Sequence, residues 1–463
     1  MSSGGLEPAA AACLFPGFGG DAMPDWLRPW LADGLGGVVL FARNVRDPDQ
    51  VAALCSDLRA EQPNLLVATD EEGGDVTRLE AATGSSFPGN LALGAVDDVA
   101  LTRRVAAAIG SELAAAGIDL DLAPVADVAV DSANPIVGVR SFGADPLLAA
   151  RHVAAFVEGV QSRGVAACAK HFPGHGETSA DSHLELPVAD ADRVTLLARA
   201  LPPFRAAVEA GVRAVMTAHI RFPALGGDPA TLSPEVIGLL RDELGFGGLV
   251  VTDALEMRAI SGSVGLEEGA VRALAAGADA LCIGADRTPD EVERIHNAIV
   301  EAARSGRLPE DRLHEAAARV AEMAAWTNPS PHRDRDAGAE AARRALRVEG
   351  DPRTGPGALV IECRPAATIA AGESGRGLAD LLPAAEVVPL REGEPLPEPA
   401  GRRLVLVVRD AHRHAWQRDL FRPGAIVVET GFPVWRPEGA DTYVVTHGAA
   451  RVNLVALAER LSV

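Results

Sequence analysis

The chain has 463 residues, a formal net charge of −21 and 48% hydrophobic residues. The acidic balance disfavours nucleic acid as a partner, because phosphate backbones are bound by clustered lysine and arginine side chains. No run approaches the roughly 20 apolar residues that span a bilayer, and the first residues lack the pattern of a secretion signal, so we expect no membrane association and a cytoplasmic location.

Short apolar runs recur through the first 285 residues, at positions 10–15, 37–41, 65–69, 118–123, 165–169, 214–218, 248–252 and 280–284. Helical composition lies between most of them, at positions 97–116, 146–163, 193–210 and 267–276. Continuously apolar runs indicate strands covered on both faces, as in parallel sheets. Eight such units favour a closed barrel, so we predict an α/β fold with a TIM-like (β/α)8 barrel over residues 1–328. The first run is short and also fits a covering strand.

A linker is predicted over residues 329–340, where prolines and dense charge replace the apolar periodicity. Beyond it, apolar runs at positions 358–361, 404–408, 425–428 and 443–445 alternate with helical stretches, the last of which covers 449–461. We therefore predict that residues 341–463 form a smaller C-terminal α/β domain of the αβα sandwich type.

Ionisable residues follow several of the predicted strands. Because a parallel barrel carries out catalysis at the C-terminal ends of its strands, these side chains are expected to share one mouth. They are Asp70, Asp127, Arg140, Lys170, His171, His219 and Asp253.

The segment KHFPGHGETSADSH, at positions 170–183, holds the densest cluster of proton-handling groups in the chain. It directly follows the fifth apolar run, which indicates a functional loop on a rigid strand. Asp181 and His183 stand two residues apart, and in extended backbone this spacing turns both side chains to one face. We predict an acid/base dyad in which the carboxylate holds the imidazole. A surface histidine beside a solvated aspartate is the alternative for such a pair taken alone.

Metal binding by His171, His175, Asp181 and His183 is a competing interpretation, because imidazole and carboxylate are zinc ligands. The spacings fit no compact ligand pattern, and the five scattered cysteines form no C-x-x-C pair. The glycines at 17–20 and 73–74 belong to no P-loop or dinucleotide fingerprint and are better explained by tight turns. We therefore predict neither a metal nor a cofactor.

The loop at 170–183 resembles the signature loop of the β-N-acetylglucosaminidases of glycoside hydrolase family 3. Further matches run along the first 285 residues: GGVVLFARN at 36–44, DEEGG at 70–74, IVGVRSFG at 136–143, MTAHI at 216–220 and VTDALEM at 251–257. One segment departs from the pattern. Where relatives commonly read DQEGGR, this chain has DEEGGD at 70–75, so Glu71 and Asp75 replace a neutral and a basic residue. This departure leaves the preference beyond the first sugar open.

The resemblance implies roles for individual residues. Asp253 is the expected nucleophile of a retaining double displacement, with His183 as acid/base and Asp181 orienting it. Taken alone, an aspartate at position 253 is more typical of a helix N-cap. The residues expected to bind the hydroxyls and N-acetyl group of the terminal sugar are Asp70, Arg78, Arg140, Lys170 and His171, and His219 is a further candidate.

The activity that the resemblance implies is that of an exo-acting β-N-acetylglucosaminidase on small carbohydrates, either muropeptides in peptidoglycan recycling or chitin fragments. A β-glucosidase or β-xylosidase of the same family is disfavoured, because those enzymes usually take the acid/base carboxylate from the second domain. A phosphorylase stays open, since a histidine acid/base repels phosphate less than a carboxylate does. A sugar-binding scaffold is the non-enzymatic alternative. The oligomeric state is not predicted.

Overall fold

The computed structural model describes residues 5–178, 186–332, 334, 336–366 and 377–462, in which strands and helices alternate. The strands are β1 (Leu14–Pro16), β2 (Gly37–Leu40), β3 (Leu66–Thr69), β4 (Leu120–Asp121), β5 (Ala166–Phe172), β6 (Ala214–Thr217), β7 (Leu249–Thr252), β8 (Leu281–Ile283), β9 (Arg347–Glu349), β10 (Leu359–Cys363), β11 (Glu386–Leu390), β12 (Leu404–Val408), β13 (Ile426–Glu429) and β14 (Thr442–Val445).

The α-helices are α1 (Leu6–Ala12), α2 (Leu27–Ala32), α3 (Pro48–Glu61), α4 (Asn90–Val96), α5 (Val99–Ala115), α6 (Pro146–Gln161), α7 (Arg193–Glu209), α8 (Pro234–Gly238), α9 (Arg258–Ser261), α10 (Leu266–Ala276), α11 (Pro289–Arg304), α12 (Glu310–Trp326), α13 (Asp336–Ala345), α14 (Ala415–Asp419) and α15 (Arg451–Leu461). In the described ranges, no helix combines the length and the apolar character that crossing a bilayer requires.

Strands β2 to β7 lie side by side in chain order and are all parallel, and β1 pairs in parallel with β8. A single parallel bridge between Val251 and Ala280 continues β7 toward β8. The strands together form a curled parallel sheet with helices between them, which confirms the predicted α/β class. The first apolar run differs from the prediction, because its alanines lie in α1 and only Leu14–Pro16 is extended. Alanine is the strongest helix former, which explains the difference.

Both faces of these strands are buried. In β2, Val38 and Leu40 pack into the large cluster that includes the surrounding helices, whereas Val39 packs into a second cluster inside the curl. Successive side chains of a strand point to opposite faces, so burial on both sides requires the continuous apolar runs seen in the sequence.

The C-terminal part of the chain contains its own sheet, with strand order β11-β10-β12-β13-β14-β9 in the described residues. All neighbours are parallel except β9, which runs antiparallel to β14. Helix α13 begins at Asp336, inside the segment predicted as a linker, and it packs against α4, α5 and α15. Ser330, in the upstream part of that segment, and Asn328, just before the segment, are docked as well, since their amides donate to the carbonyls of Arg163 and Gly164.

A buried aspartate organises the end of the parallel sheet where β8 begins. Asp279 is fully buried and accepts a hydrogen bond from the backbone of Val250 at 2.9 Å. Its carboxylate also pairs with Arg241 at 2.6 Å, with Arg319 at 3.1 Å and with Arg312. The stability of the fold depends on these ion pairs, because removing one partner of a buried pair leaves the other charge uncompensated.

We expect the Asp279→Ala substitution to lower the free energy of unfolding by about 3–5 kcal/mol, because three largely buried arginines lose the carboxylate that compensates their charge. Glu315→Ala is the matched control, because Glu315 pairs with the same Arg312 and Arg319 but is half exposed. Surface pairs of this kind are worth about 0–1 kcal/mol. Urea unfolding of the three proteins measures both values, and equal losses in the two variants would contradict the assigned role of Asp279.

Candidate active site

A cavity of about 300 Å³ lies where the parallel strands end. Asp70 directly follows β3, Lys170 and His171 are in the last part of β5, and Asp253 directly follows β7. All four line the cavity, as do the predicted Arg78 and Arg140. Asp70, Lys170, His171 and Asp253 therefore lie at the C-terminal ends of strands, where the apolar runs placed them. The predicted dyad residues, Asp181 and His183, lie outside the described residues.

Charged side chains on one side of the cavity form an alternating chain of ion pairs. Lys170 is buried, and its Nζ lies 2.6 Å from Asp70 Oδ1 and 2.8 Å from Glu72 Oε1. Arg140 binds Glu72 through two contacts, of 2.6 and 2.9 Å. At the other end, Arg78 Nη2 lies 3.4 Å from Asp70 Oδ2. Three cations thus share two carboxylates, and each group holds the next in place.

This arrangement keeps every member of the chain charged. Burial alone would raise the pKa of Asp70, but the charges of Lys170 and Arg78 outweigh it and hold that pKa below its usual range. Burial is likewise outweighed at Glu72, whose pKa falls to about 2 beside Arg140 and Lys170. Burial alone would lower the pKa of Lys170, but the carboxylates of Asp70 and Glu72 outweigh it and raise that pKa. Ionised groups make strong, directional hydrogen bonds, and they are suited to holding sugar hydroxyls.

A second set of contacts fixes the imidazole rings. His171 Nδ1 lies 2.7 Å from Asp127 Oδ2, while the other oxygen of Asp127 accepts hydrogen bonds from the backbone of His171 and His175. Burial lowers the pKa of His175 to about 4, so this ring is neutral at neutral pH. Asn134 donates to the carbonyls of His175 and Thr178, both at 2.8 Å. The beginning of the 170–183 loop is therefore firmly held in the structure.

Asp253 is half-buried at the cavity, and its Oδ1 accepts a hydrogen bond from the Ala254 backbone at 2.8 Å. The next helix, α9, has Met257 at its N-cap, so Asp253 does not have the capping role that a lone aspartate in this place would suggest. Asp253 lines the cavity, which is compatible with a nucleophile, and this role stays a prediction.

His219 does not line the cavity formed by the described residues. Its Nδ1 lies 2.8 Å from Thr231 Oγ1, and its Nε2 lies 3.0 Å from the carbonyl oxygen of Ala254. These contacts hold the backbone beside Asp253. The substrate-binding role of His219 stays a prediction. Its contacts with Thr231 and Ala254 indicate that it stabilises the backbone next to Asp253.

Several residues of the cavity were not among the predicted site residues. Glu72 is the most important, because it joins Lys170 to Arg140. Its signal was available, since it stands two residues after Asp70 and this spacing turns both carboxylates to one face in extended backbone. Arg43, His175 and Glu256 also line the cavity. Across the described residues, no group of three or more metal-ligating side chains converges.

The two acidic departures at 71 and 75 point away from the cavity. Glu71 is buried and accepts hydrogen bonds from the backbone of Arg78 and Leu79, at 2.9 and 3.0 Å. Burial raises the pKa of Glu71 to about 7. Asp75 binds Arg409 of the C-terminal sheet at 2.5 Å. These acids therefore do not add negative charge to the cavity.

A curled parallel sheet thus presents fixed charged groups and, at the end of β7, a carboxylate to one cavity, an arrangement that is compatible with a glycoside hydrolase. Residues 22–323 match the family described as "Glycosyl hydrolase family 3 N terminal domain". The chain belongs to glycosyl hydrolase family 3.

The chain is similar to proteins named as β-hexosaminidases and β-N-acetylglucosaminidases. A β-hexosaminidase of Thiobacillus denitrificans is 41% identical over 278 residues, which are 57% of this chain and 76% of that protein. β-Hexosaminidase A of Pseudoalteromonas piscicida is 35% identical over 62% of this chain, and the chain spans 53% of its length. The solved family 3 β-N-acetylglucosaminidase of Paenibacillus sp. str. FPU-7 is 32% identical with a TM-score of 0.89, covering 100% of this chain and 98% of that one.

The buried Glu71 carboxyl predicts a pH dependence of stability. Its pKa is about 7 in the folded protein against 4.5 ordinarily. Between these values the folded state holds a proton that the unfolded state has released, so stability falls as pH rises from about 4.5 and the loss is complete above about 7. Glu71→Gln removes this titration. We expect the stability of the variant relative to the parent to rise by about 3 kcal/mol between pH 4.5 and 8.

Urea unfolding at both pH values measures this difference. Glu310→Gln is the control, because it makes the same substitution at an exposed position. A Glu71→Gln variant whose stability changes in parallel with that of the parent would show that Glu71 ionises normally.

Proposed function

We propose that the protein is a retaining, exo-acting β-N-acetylglucosaminidase that releases terminal β-linked N-acetylglucosamine from small carbohydrates such as muropeptides or chitooligosaccharides. The observation that carries the proposal is the convergence of Asp253 and the Arg78–Asp70–Lys170–Glu72–Arg140 chain on one cavity. The names of the similar proteins support the same sugar. A role in peptidoglycan recycling and a cytoplasmic location stay predictions.

We also propose that the eight parallel strands close into a TIM-type barrel and that residues 341–463 form a separate C-terminal domain. The pairing of β1 with β8 and the bridge between β7 and β8 support closure. Contact between β1 and β2 supports it further, since the Phe15 ring lies so close to Gly37 that no side chain fits there. The separate sheet of β9 to β14 supports the second domain.

The size of the cavity supports exo action. At about 300 Å³ it lies at the small end of ligand pockets, which span roughly 300–1,000 Å³. A pocket of this size suits one terminal sugar. The ionised Asp70, Lys170 and Arg140 would hold its hydroxyls, and the apolar Met216 and Leu122 that line the same cavity would contact the ring.

In the proposed reaction, the Asp253 carboxylate attacks the anomeric carbon while an acid protonates the leaving oxygen, which gives a covalent glycosyl-enzyme. Water then attacks the same carbon and Asp253 leaves, so the product retains the β configuration. The hydrogen bond from Ala254 to Oδ1 orients the carboxylate. We assign the proton transfers to His183, oriented by Asp181, because a free pKa near 6.5 lets an imidazole both give and take a proton.

A panel of p-nitrophenyl β-glycosides tests the activity. We expect turnover of the N-acetylglucosaminide, and little or none of the glucoside and xyloside. The product should be free N-acetylglucosamine at a rate that added inorganic phosphate leaves unchanged. Formation of N-acetylglucosamine 1-phosphate would establish a phosphorylase instead, whereas preference for the glucoside would remove the assigned sugar. Binding of N-acetylglucosamine without any turnover would indicate a scaffold.

The roles of Asp253 and His183 make different kinetic predictions. Asp253→Ala should lower kcat roughly 10³-fold or more for every leaving group, because the covalent route is lost. His183→Ala should lower kcat about 10²- to 10⁴-fold for chitobiose but much less for formation of the glycosyl-enzyme from the p-nitrophenyl substrate, whose leaving group needs no proton. Steady-state and burst-phase kinetics on both substrates separate these effects.

His171→Ala is the matched control, since His171 is also an imidazole oriented by a carboxylate, Asp127. It should raise KM for both substrates without any dependence on the leaving group. If the leaving-group dependence appears in the His171 variant and not in the His183 variant, the acid/base assignment is wrong.

A further inference from the structure

The 70–78 loop, defined as residues 70–78, has two faces with different partners. Asp70, Glu72 and Arg78 line the cavity. Asp75 projects from the turn between them, where Gly73 and Gly74 adopt positive φ angles of 70° and 66°. The loop is therefore placed between the sugar pocket and whatever Asp75 binds.

In the described residues, the side chain of Asp75 binds two residues of the C-terminal part of the chain, one just after β12 and one between β14 and α15. Its Oδ2 lies 2.5 Å from Arg409 Nη2, and its Oδ1 accepts a hydrogen bond of 3.1 Å from the backbone of Ala449. The Asp75 side chain is 5% exposed, so this pair is shielded from solvent. Shielding strengthens the attraction between the two charges, and removing either partner leaves the other charge uncompensated.

Arg409 is itself held in place. It directly follows β12, and the buried Gln417 amide binds both its backbone groups, accepting from its N–H at 2.8 Å and donating to its carbonyl at 2.9 Å. The charge of Asp75 raises the pKa of Arg409, in keeping with a tight pair. A rigid strand end therefore presents the guanidinium to the loop.

The C-terminal part of the chain touches two further segments. His412 Nε2 donates to the carbonyl of Ser132 at 2.7 Å, two residues before the Asn134 that binds the carbonyls of His175 and Thr178. The backbone N–H of Val452, in α15, donates to the carbonyl of Ser85 at 3.2 Å. The contact through Arg409 is the one that reaches cavity-lining residues by the shortest stretch of chain, since Val76 follows Asp75 directly and lines the cavity.

We propose that Arg409 is a positioning residue for the sugar pocket: through Asp75 it fixes the 70–78 loop, and with it the spacing of Asp70, Glu72 and Arg78 around the substrate. The expected change in KM rests on the proposed function, whereas the fixing of the 70–78 loop does not.

The positioning role predicts a specific change in the kinetic constants. Loss of Arg409 should weaken sugar binding and leave the reacting carboxylate in place, so KM rises while kcat changes little. We expect Arg409→Ala to raise KM for p-nitrophenyl N-acetyl-β-D-glucosaminide about tenfold, with kcat within about twofold of the parent. A purely structural role would instead lower thermal stability and the active fraction without moving KM.

The experiment compares Arg409→Ala, Asp75→Arg, Arg409→Asp and the double variant Asp75→Arg/Arg409→Asp, all in the full chain. Each single variant should raise KM, and the double variant should recover part of the loss because the ion pair is restored in reverse. Arg402→Ala is the matched control, since Arg402 pairs with Glu386 at the surface of the same sheet. It should leave KM unchanged.

Hydrogen–deuterium exchange of the backbone amides at residues 72–78 provides a readout that needs no substrate. These amides should exchange faster in Arg409→Ala than in the parent or in Arg402→Ala. If the parent fails to turn over the glucosaminide, the proposed function fails while faster exchange still supports the positioning role. Unchanged exchange together with unchanged KM in Arg409→Ala would overturn the proposal.

Discussion

The buried ammonium of Lys170 is the constraint on which the pocket depends. A cation in the interior requires nearby carboxylates, and Lys170 has two, Asp70 and Glu72. Two carboxylates at one lysine would repel each other, and Arg78 and Arg140 relieve this by binding one each. Satisfying one buried charge thus arranges five side chains from three neighbouring parts of the sheet. The same groups then face the cavity as fixed hydrogen-bonding partners, so the requirements of folding and of sugar binding coincide.

The parallel sheet and most of the pocket follow from the sequence because strong local signals agree with the global fold. Strands buried on both faces need continuous apolar runs, and the runs at 37–41 and 214–218 contain β2 and β6. Residues directly after such runs, such as Asp70 and Asp253, lie at the end of the sheet where parallel strands present their functional groups. Motif resemblance added the identity of the chemistry, which spacing alone left open.

The parts that the sequence did not predict depend on contacts between distant segments. Alternation along extended backbone separates Glu71 from Asp70 and Glu72, but nothing local indicates that Glu71 is buried against the backbone of Arg78 and Leu79. The partner of Asp75 is more than 300 residues away, and only the folded chain brings Arg409 to it. Strand β11 escaped prediction because it is only partly buried and contains glutamate and proline, so its apolar signal is weak. Asp181 and His183 lie outside the described residues, and their roles rest on the resemblance.

Asp279 with its arginines and Lys170 with its ion-pair partners lie at opposite ends of the parallel strands: Asp279 precedes β8, whereas Asp70 follows β3 and Lys170 is in the last part of β5. Charged networks at the two ends share no residue. Substitutions confined to the pocket therefore leave the contacts of Asp279 in place. The free energy that these contacts contribute to folding is expected to add to the effect of a pocket substitution, because the two networks share no partner.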